Sequence, residues 1–123
     1  MKTTPADSLA LLNQRLLEFA QARDWEQFHS PKNLTMALAG ECGELLEHFQ
    51  WLTEEQSMEL STEKKEEVSL EMADILIYLI RLSERLDIDL IDAAHQKTTI
   101  NEQRFLVDKV RGDARRASEY DQV

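Results

Sequence analysis

Apolar residues along this chain recur every three or four positions, which is the spacing of one face of an α-helix. In the first such segment they are Leu9, Leu12, Leu16 and Phe19. No segment alternates apolar and polar residues as a half-buried strand would. Helix-breaking residues are scarce, with only three glycines and two prolines. The pattern therefore predicts an all-α protein.

Capping signals divide this pattern into four helices. The predicted helices are Pro5–Arg23, Pro31–Trp51, a third ending near Leu86, and Leu90–Phe105. Their predicted N-caps are, in order, Thr4, Ser30, Ser61 or Thr62, and Asp87 or Asp89. Between the helices, residues 25–30 are predicted to form a loop and the polar stretch 53–57 a connection.

The length of 123 residues indicates one domain. We assign it to residues 1–112, because the segment 113–123 has no apolar period and is predicted to be a flexible tail. The third predicted helix is apolar on nearly every face between Val68 and Leu82. One protomer of four helices cannot cover so much apolar surface, so the pattern predicts a core completed by a second chain.

Charge and composition exclude several classes of protein. The net charge of −10 argues against nonspecific binding to polymeric nucleic acid and to an anionic membrane surface. Cys42 is the only cysteine, which rules out an intrachain disulfide and a thiolate metal site. The first residues lack the apolar core of a signal peptide, and no apolar run reaches membrane-spanning length. We expect a soluble, cytoplasmic protein.

Four acids interrupt apolar helical segments. Glu41 and Glu44 lie in the second predicted helix, and Glu71 and Asp74 lie in the third. Each pair has i,i+3 spacing, which places its side chains on one helix face, about 5–6 Å apart at Cβ. Two bare carboxylates at that distance repel by about 3 kcal/mol at an effective dielectric of about 20. No lysine or arginine lies within a helical turn to relieve this repulsion.

A divalent cation would relieve it. Acids on amphipathic helices usually face solvent, but the residues around Glu71 and Asp74 leave them no polar face. Glu41 and Glu44, taken alone, fit a solvated face equally well. Together the four acids form an oxygen-only ligand set without imidazole or thiolate, which favours Mg²⁺ or Mn²⁺.

The order and spacing of these acids resemble a known signature. Glu41-x-x-Glu44, followed after 26 residues by Glu71-x-x-Asp74, is similar to the ExxE…ExxD motif of the all-α, MazG-like nucleoside triphosphate pyrophosphohydrolases. The resemblance extends from about Phe19 to Arg111 and is strongest to the dCTP pyrophosphatase branch. The segments that carry it are Arg23–His29, Pro31, Asn33, Leu34, Ala37–Gly40, Phe49–Trp51, Lys97, Asn101, Arg104 and Phe105.

The resemblance implies a fold and a reaction. The fold would be a four- to five-helix bundle assembled as a homodimer or as a dimer of dimers. The reaction would be Mg²⁺-dependent hydrolysis of (deoxy)nucleoside triphosphates, with dCTP-like substrates favoured, to the monophosphate and pyrophosphate, which would cleanse the nucleotide pool. Glu41, Glu44, Glu71 and Asp74 would hold the metal, and one of these four acids would deprotonate the attacking water.

A nucleotide pocket is implied by the same resemblance. Family likeness assigns the base and sugar to Trp25, Gln27, Phe28, His29, Trp51 and Tyr78. Lys97, Asn101 and Arg104 share a face at i, i+4, i+7 and could hold phosphate charge, although such a face is also common on solvated helices. The branch has a histidine where this chain has Leu16, which predicts looser discrimination between bases.

Two other interpretations compete with this one. A di-iron carboxylate bundle needs Glu-x-x-His pairs, and the two helices that carry the four acids contain none. The second is a non-enzymatic helical dimerisation module whose acids bind a structural divalent cation or a basic partner. This second interpretation stays open from sequence alone.

Overall fold

The computed structural model of the protein describes residues 8–115, and within that range it contains α-helices and no strand. The α-helices are α1 (Leu9–Ala22), α2 (Pro31–Phe49), α3 (Glu54–Met58), α4 (Thr62–Arg85), α5 (Leu90–Arg104) and α6 (Val107–Val110). A 3₁₀ turn, Glu26–Phe28, lies between α1 and α2. The all-α prediction is confirmed, and the two short helices α3 and α6 add to the four predicted ones.

Each long helix begins behind a side chain that accepts a hydrogen bond from its first turn, which satisfies an otherwise unpaired backbone N–H. The caps are Ser8, Ser30, Ser61 and Asp89. They decide the alternatives at the third and fourth predicted helices in favour of Ser61 and Asp89. The predicted start at Pro5 behind Thr4 lies outside the described residues, within which α1 begins at Leu9.

The polar stretch predicted as a connection contains the short helix α3. Its cause is a capping box, in which Thr53 Oγ1 accepts from the Gln56 N–H at 3.1 Å and Gln56 Oε1 accepts from the Thr53 N–H at 3.0 Å. The motif Ser/Thr-x-x-Glu/Gln is a helix-start signal that can be recognised in the sequence. The missed helix therefore had a local signal.

The chain forms two compact units, Met1–Ile88 and Asp89–Val123. In the first unit α2 and α4 make the main helix–helix contact, and α1 packs against α4. The buried apolar residues there are Ala20, Leu34, Val68 and Ile80. The second unit contains α5 and α6. The predicted boundary at residue 112 stays a prediction, and most of the predicted tail, residues 116–123, lies outside the described range.

Helices α2 and α4 run antiparallel, as the hydrogen bonds at their ends show. Near the end of α2, His48 Nδ1 lies 3.3 Å from Lys64 Nζ in the first turn of α4. Near the end of α4, Arg85 Nε donates to the backbone oxygen of His29, which precedes α2, at 3.1 Å. The two helices are thus tied to each other at both ends.

Asp24 and Asp87 directly follow the C-caps of α1 and α4 and have positive φ, 53° and 54°. This left-handed conformation is one that glycine adopts without steric cost. Asp24 has a compensating contact, because Gln27 Nε2 donates to its carboxylate at 3.0 Å.

We predict that Asp87→Gly raises the free energy of unfolding by about 0.5–1 kcal/mol, because relief of the left-handed strain exceeds the entropy that glycine adds to the unfolded chain. Urea denaturation measures the change. Asp87→Ala is the matched control, since it removes the same carboxylate and keeps the strain. Equal stability of the glycine and alanine variants would contradict the prediction.

Candidate active site

The polarity of α4 is inverted around its acids. Glu71 and Asp74 are half-buried. Their apolar neighbours Leu70, Met72 and Leu76 are instead 64%, 57% and 41% exposed. An amphipathic helix normally turns its apolar side chains inward and its charges outward. The arrangement in α4 therefore directs carboxylates into the interior of the first unit.

These carboxylates meet the acids of α2. Glu41, Glu44 and Glu71 each offer an oxygen, and these oxygens all lie within 4.8 Å of one another. The antiparallel packing of α2 against α4 brings the two i,i+3 pairs together across the helix contact. The predicted acidic cluster is therefore present, and three of its four members could hold one cation. The fourth, Asp74, is close enough for its charge to act on Glu41.

The cluster has the properties of a cation site. Oε2 of Glu41 and Oε2 of Glu71 are buried and have no hydrogen-bond partner. No ion pair within residues 8–115 involves any of the four acids. Buried polar oxygens without partners are costly, and hard divalent cations coordinate such oxygens. The residues present therefore fit a divalent cation.

The cluster also changes the acidity of Glu41. Burial, the hydrogen bonds that only the protonated carboxyl of Glu41 can donate to Glu71 and Glu44, and repulsion by Glu44 and Asp74 together raise its pKa from 4.5 to about 7. An acid whose pKa is raised on folding stabilises the protein at low pH. That contribution is lost as the pH rises from 4.5 to about 7, where only the unfolded chain has released the proton.

We predict that the cation-free protein loses thermal stability between pH 4.5 and about 7 through Glu41, and that the gain from added Mg²⁺ grows over the same interval. The reason is that the cation must displace the proton of Glu41, so its apparent affinity falls about tenfold per pH unit below 7. Thermal unfolding with and without Mg²⁺ measures both effects. Glu41→Gln is the control, and an unchanged pH slope in that variant would refute the role of Glu41.

A cavity of about 260 Å³ lies beside the cluster in the first unit. Asp74 forms part of the cavity wall. Its charge also acts on Glu41 of α2, so the cavity and the acidic cluster share this residue. The wall is formed by α1, the connection after it, and α4, through Leu16, Phe19, Ala20, Trp25, His29, Asp74, Ile77, Tyr78 and Arg81. A largely apolar cavity with a few polar groups is typical of a small-molecule site.

Trp25 is held in this wall by ring contacts. Its ring lies edge-on to Phe19, with centroids 5.6 Å apart, and edge-on to His29 at 6.3 Å. The guanidinium carbon of Arg23 lies 3.6 Å from the centroid of the Phe19 ring. These contacts explain why aromatic residues occur in a connection that has no helical period. Stacking on such faces binds planar bases with little selectivity.

Arg81 is a site residue that the sequence analysis missed. It is 2% exposed, and Nε and Nη2 each lie 3.4 Å from Nδ1 of His29, while Nη1 donates to Glu84 at 3.2 Å. The pKa of His29 is lowered by burial, then by the charges of Arg81 and Arg85. The available signal was spacing, because Arg81 follows Asp74 by seven residues and so shares its helix face.

The other predicted nucleotide-binding residues are distributed as follows. His29, Trp25 and Tyr78 line the cavity, and so does Leu16, the position at which the branch has a histidine. Gln27, Phe28 and Trp51 are exposed and do not line it, with Trp51 86% exposed. Lys97, Asn101 and Arg104 lie on α5 in the second unit. The roles of all these residues stay predictions.

None of the helices in the described part of the chain combines the length and apolar character needed to span a membrane.

Comparison with known proteins gives a family match. The MazG-like family model matches residues 37–119. In structure, the chain is similar to a crystal structure of a pyrophosphatase from Archaeoglobus fulgidus, with a TM-score of 0.77 and 34% identity. That similarity covers 86% of this chain and 97% of the archaeal one. The match therefore extends over nearly the whole of a solved relative.

Curated relatives include dCTP pyrophosphatase 1 from rat and from human. The rat protein is 42% identical over 113 residues, which is 90% of this chain and 66% of the rat protein. The human protein is 40% identical over 118 residues, which is 94% of this chain and 69% of the human protein. The chain thus spans just under two thirds of the length of the rat relative.

Proposed function

This chain belongs to the MazG-like family, and from that premise we propose that it hydrolyses (deoxy)nucleoside triphosphates to the monophosphate and pyrophosphate, with dCTP among its preferred substrates. The observation that carries the proposal is the meeting of Glu41, Glu44 and Glu71 between α2 and α4, with two buried oxygens unpaired. A cellular role in cleansing the nucleotide pool would follow from that activity.

The four acids would hold Mg²⁺, with Mn²⁺ as a substitute, because the ligand set is made only of oxygen. When bound, the cation would supply charge neutralisation for the triphosphate and a more acidic water. Glu41, Glu44, Glu71 and Asp74 would orient it, and one of them would accept the proton of the attacking water. A chain of net charge −10 needs such a site to bind a polyanion.

The cavity would hold the nucleobase. Its apolar wall with Trp25 supplies stacking, and His29 and Tyr78 supply polar atoms. Leu16 gives an apolar surface where the family branch has an imidazole, so we propose looser base discrimination. Base and sugar contacts from Gln27, Phe28 and Trp51, and phosphate contacts from Lys97, Asn101 and Arg104, are part of the same proposal.

The direct test is pyrophosphate release from dCTP, dTTP, dUTP, dATP and CTP, with and without Mg²⁺. We expect cation-dependent turnover with dCTP among the best substrates and deoxynucleotides ahead of CTP. A stabilising effect of Mg²⁺ without turnover of any nucleotide would favour the alternative, a dimerisation module with a structural cation. If dCTP ranks last, the assignment of the base pocket is wrong.

The most informative variant for this experiment removes the charge of one of the four acids. Glu71→Gln should lower the rate at least ~10²-fold, because positioning of the cation contributes several kcal/mol. The same substitution should raise the thermal stability of the cation-free protein, because one of the repelling charges is gone. Glu66→Gln is the control, since it removes an exposed acid from the same helix. Full activity of Glu71→Gln would overturn the metal-site assignment.

We further propose that a second copy of the chain covers the outer face of α4. Met72 and Leu76, one helical turn apart, leave apolar surface exposed on the side of α4 that faces away from the acids. Two-fold assemblies are the most frequent solution for such surfaces, with a dimer of dimers next.

Light scattering is expected to find a homodimer or homotetramer at micromolar concentration. Met72→Glu should shift the distribution toward smaller species, because a charge buried in an apolar interface is left unpaired. Met72→Leu conserves the apolar surface and should leave the mass unchanged. A folded monomer in the unsubstituted protein would exclude this mode of assembly.

A further inference from the structure

Arg81 is a buried cation in the apolar second half of α4. Its side chain is 3% exposed and lies beside Ile80, one of the most deeply buried residues. A guanidinium is charged at all relevant pH values and must be paired or hydrogen-bonded when buried. Glu84 satisfies one N–H at 3.2 Å, and this carboxylate is itself 26% exposed. The other partner is the imidazole of His29.

In the contact between Arg81 and His29, arginine must be the hydrogen-bond donor and the imidazole the acceptor. Arginine has five N–H donors and no acceptor. Two of its nitrogens lie 3.4 Å from Nδ1 of His29, so Nδ1 must contribute its lone pair and cannot carry the proton. In a neutral imidazole the proton is then on Nε2. We propose that Arg81 is a positioning residue that holds His29 as the neutral Nε2–H tautomer, giving the cavity wall a fixed N–H donor.

The surroundings of His29 favour the neutral ring. Burial and then the charges of Arg81 and Arg85 lower its pKa, and the charge of Glu26 acts in the opposite direction. Arg85 also fixes the residue through its backbone, because Arg85 Nε donates to the His29 carbonyl oxygen at 3.1 Å. Arg81 thus contacts the ring of His29. Arg85 contacts its backbone and lowers the pKa of its ring through charge alone. The two arginines lie one helical turn apart on α4, which makes them a matched pair.

The consequence for substrate rests on the proposed function. The aromatic wall of the cavity binds any base by stacking, and Leu16 contributes no polar atom. A permanent donor at His29 would favour ligands that present a neutral acceptor, such as a carbonyl oxygen or an unprotonated ring nitrogen of a pyrimidine. Arg81 would then influence base selection through the ring of His29.

The tautomer can be measured without substrate. The expected result, from ¹H–¹⁵N correlation spectra of the histidine rings at pH 8, is an unprotonated Nδ1 and a protonated Nε2 for His29. The chain has three histidines, and the His29→Asn variant identifies the signals of His29. This result does not depend on whether the protein hydrolyses a nucleotide. A proton on Nδ1 in the unsubstituted protein overturns the proposal outright.

Variants then separate positioning from a merely structural role. Arg81→Met keeps the length of the side chain and should allow both tautomers, with KM for dCTP rising roughly threefold to tenfold and kcat changing less. Arg81→Lys keeps a donor-only cation and should restore the Nε2–H tautomer. Arg85→Met should leave the tautomer unchanged, because it removes charge and a backbone contact but not the partner of Nδ1.

Two results would contradict the assignment. The first is an unchanged tautomer in a folded Arg81→Met protein, which would mean that Arg81 does not determine which ring nitrogen of His29 carries the proton. The second is a changed tautomer with an unchanged KM, which would mean that the donor does not contact the nucleotide. If Arg81→Met does not fold, the spectra of the unsubstituted protein and of Arg81→Lys still test whether Nδ1 of His29 is unprotonated. Absence of all dCTP turnover would instead refute the proposed function and leave the tautomer assignment standing.

Discussion

Repulsion between carboxylates across the contact of α2 and α4 is the constraint on which the first unit depends. Glu41, Glu44 and Glu71 are brought together by the same helix contact that buries apolar residues such as Leu34 and Ile80. Hydrogen bonds near both ends of the contact, to His48 and to the backbone of His29, oppose a separation of the charges. Proton uptake or cation binding at the acids therefore acts directly on the stability of the fold.

Helix α4 extends this dependence from the acids to the cavity. Its inner face carries Glu71 and Asp74, then Tyr78 one turn later, then Arg81 and Arg85. The last two hold the connection before α2 through the ring and the carbonyl oxygen of His29. One rigid helix thus fixes the distance between the acidic cluster and the cavity wall. A site that positions a phosphate chain and a base together needs such a fixed distance.

The features predicted from the sequence are those with local causes. Helical spacing and side-chain caps such as Ser30 and Ser61 act within one turn, so α2, α4 and α5 begin where the sequence predicts them. The family resemblance is confirmed. The i,i+3 spacing fixes the common face of each acid pair, whereas the meeting of Glu41, Glu44 and Glu71 depends on the packing of α2 against α4. Even the missed α3 had a local signal in its capping box. An acid that interrupts an apolar helical segment can likewise be recognised in the sequence.

The cavity was less predictable because its wall is assembled from three segments that are distant in the sequence. Leu16 faces it from α1, His29 from the connection and Arg81 from α4, and no local rule brings them together. A lone arginine in an apolar helix usually extends to solvent along its own stem. Arg81 instead stays inside because Glu84 and His29 accept its N–H groups. Its proposed role follows from the guanidinium having only donors. This property indicates the tautomer of His29 only once the structure shows that His29 is the acceptor.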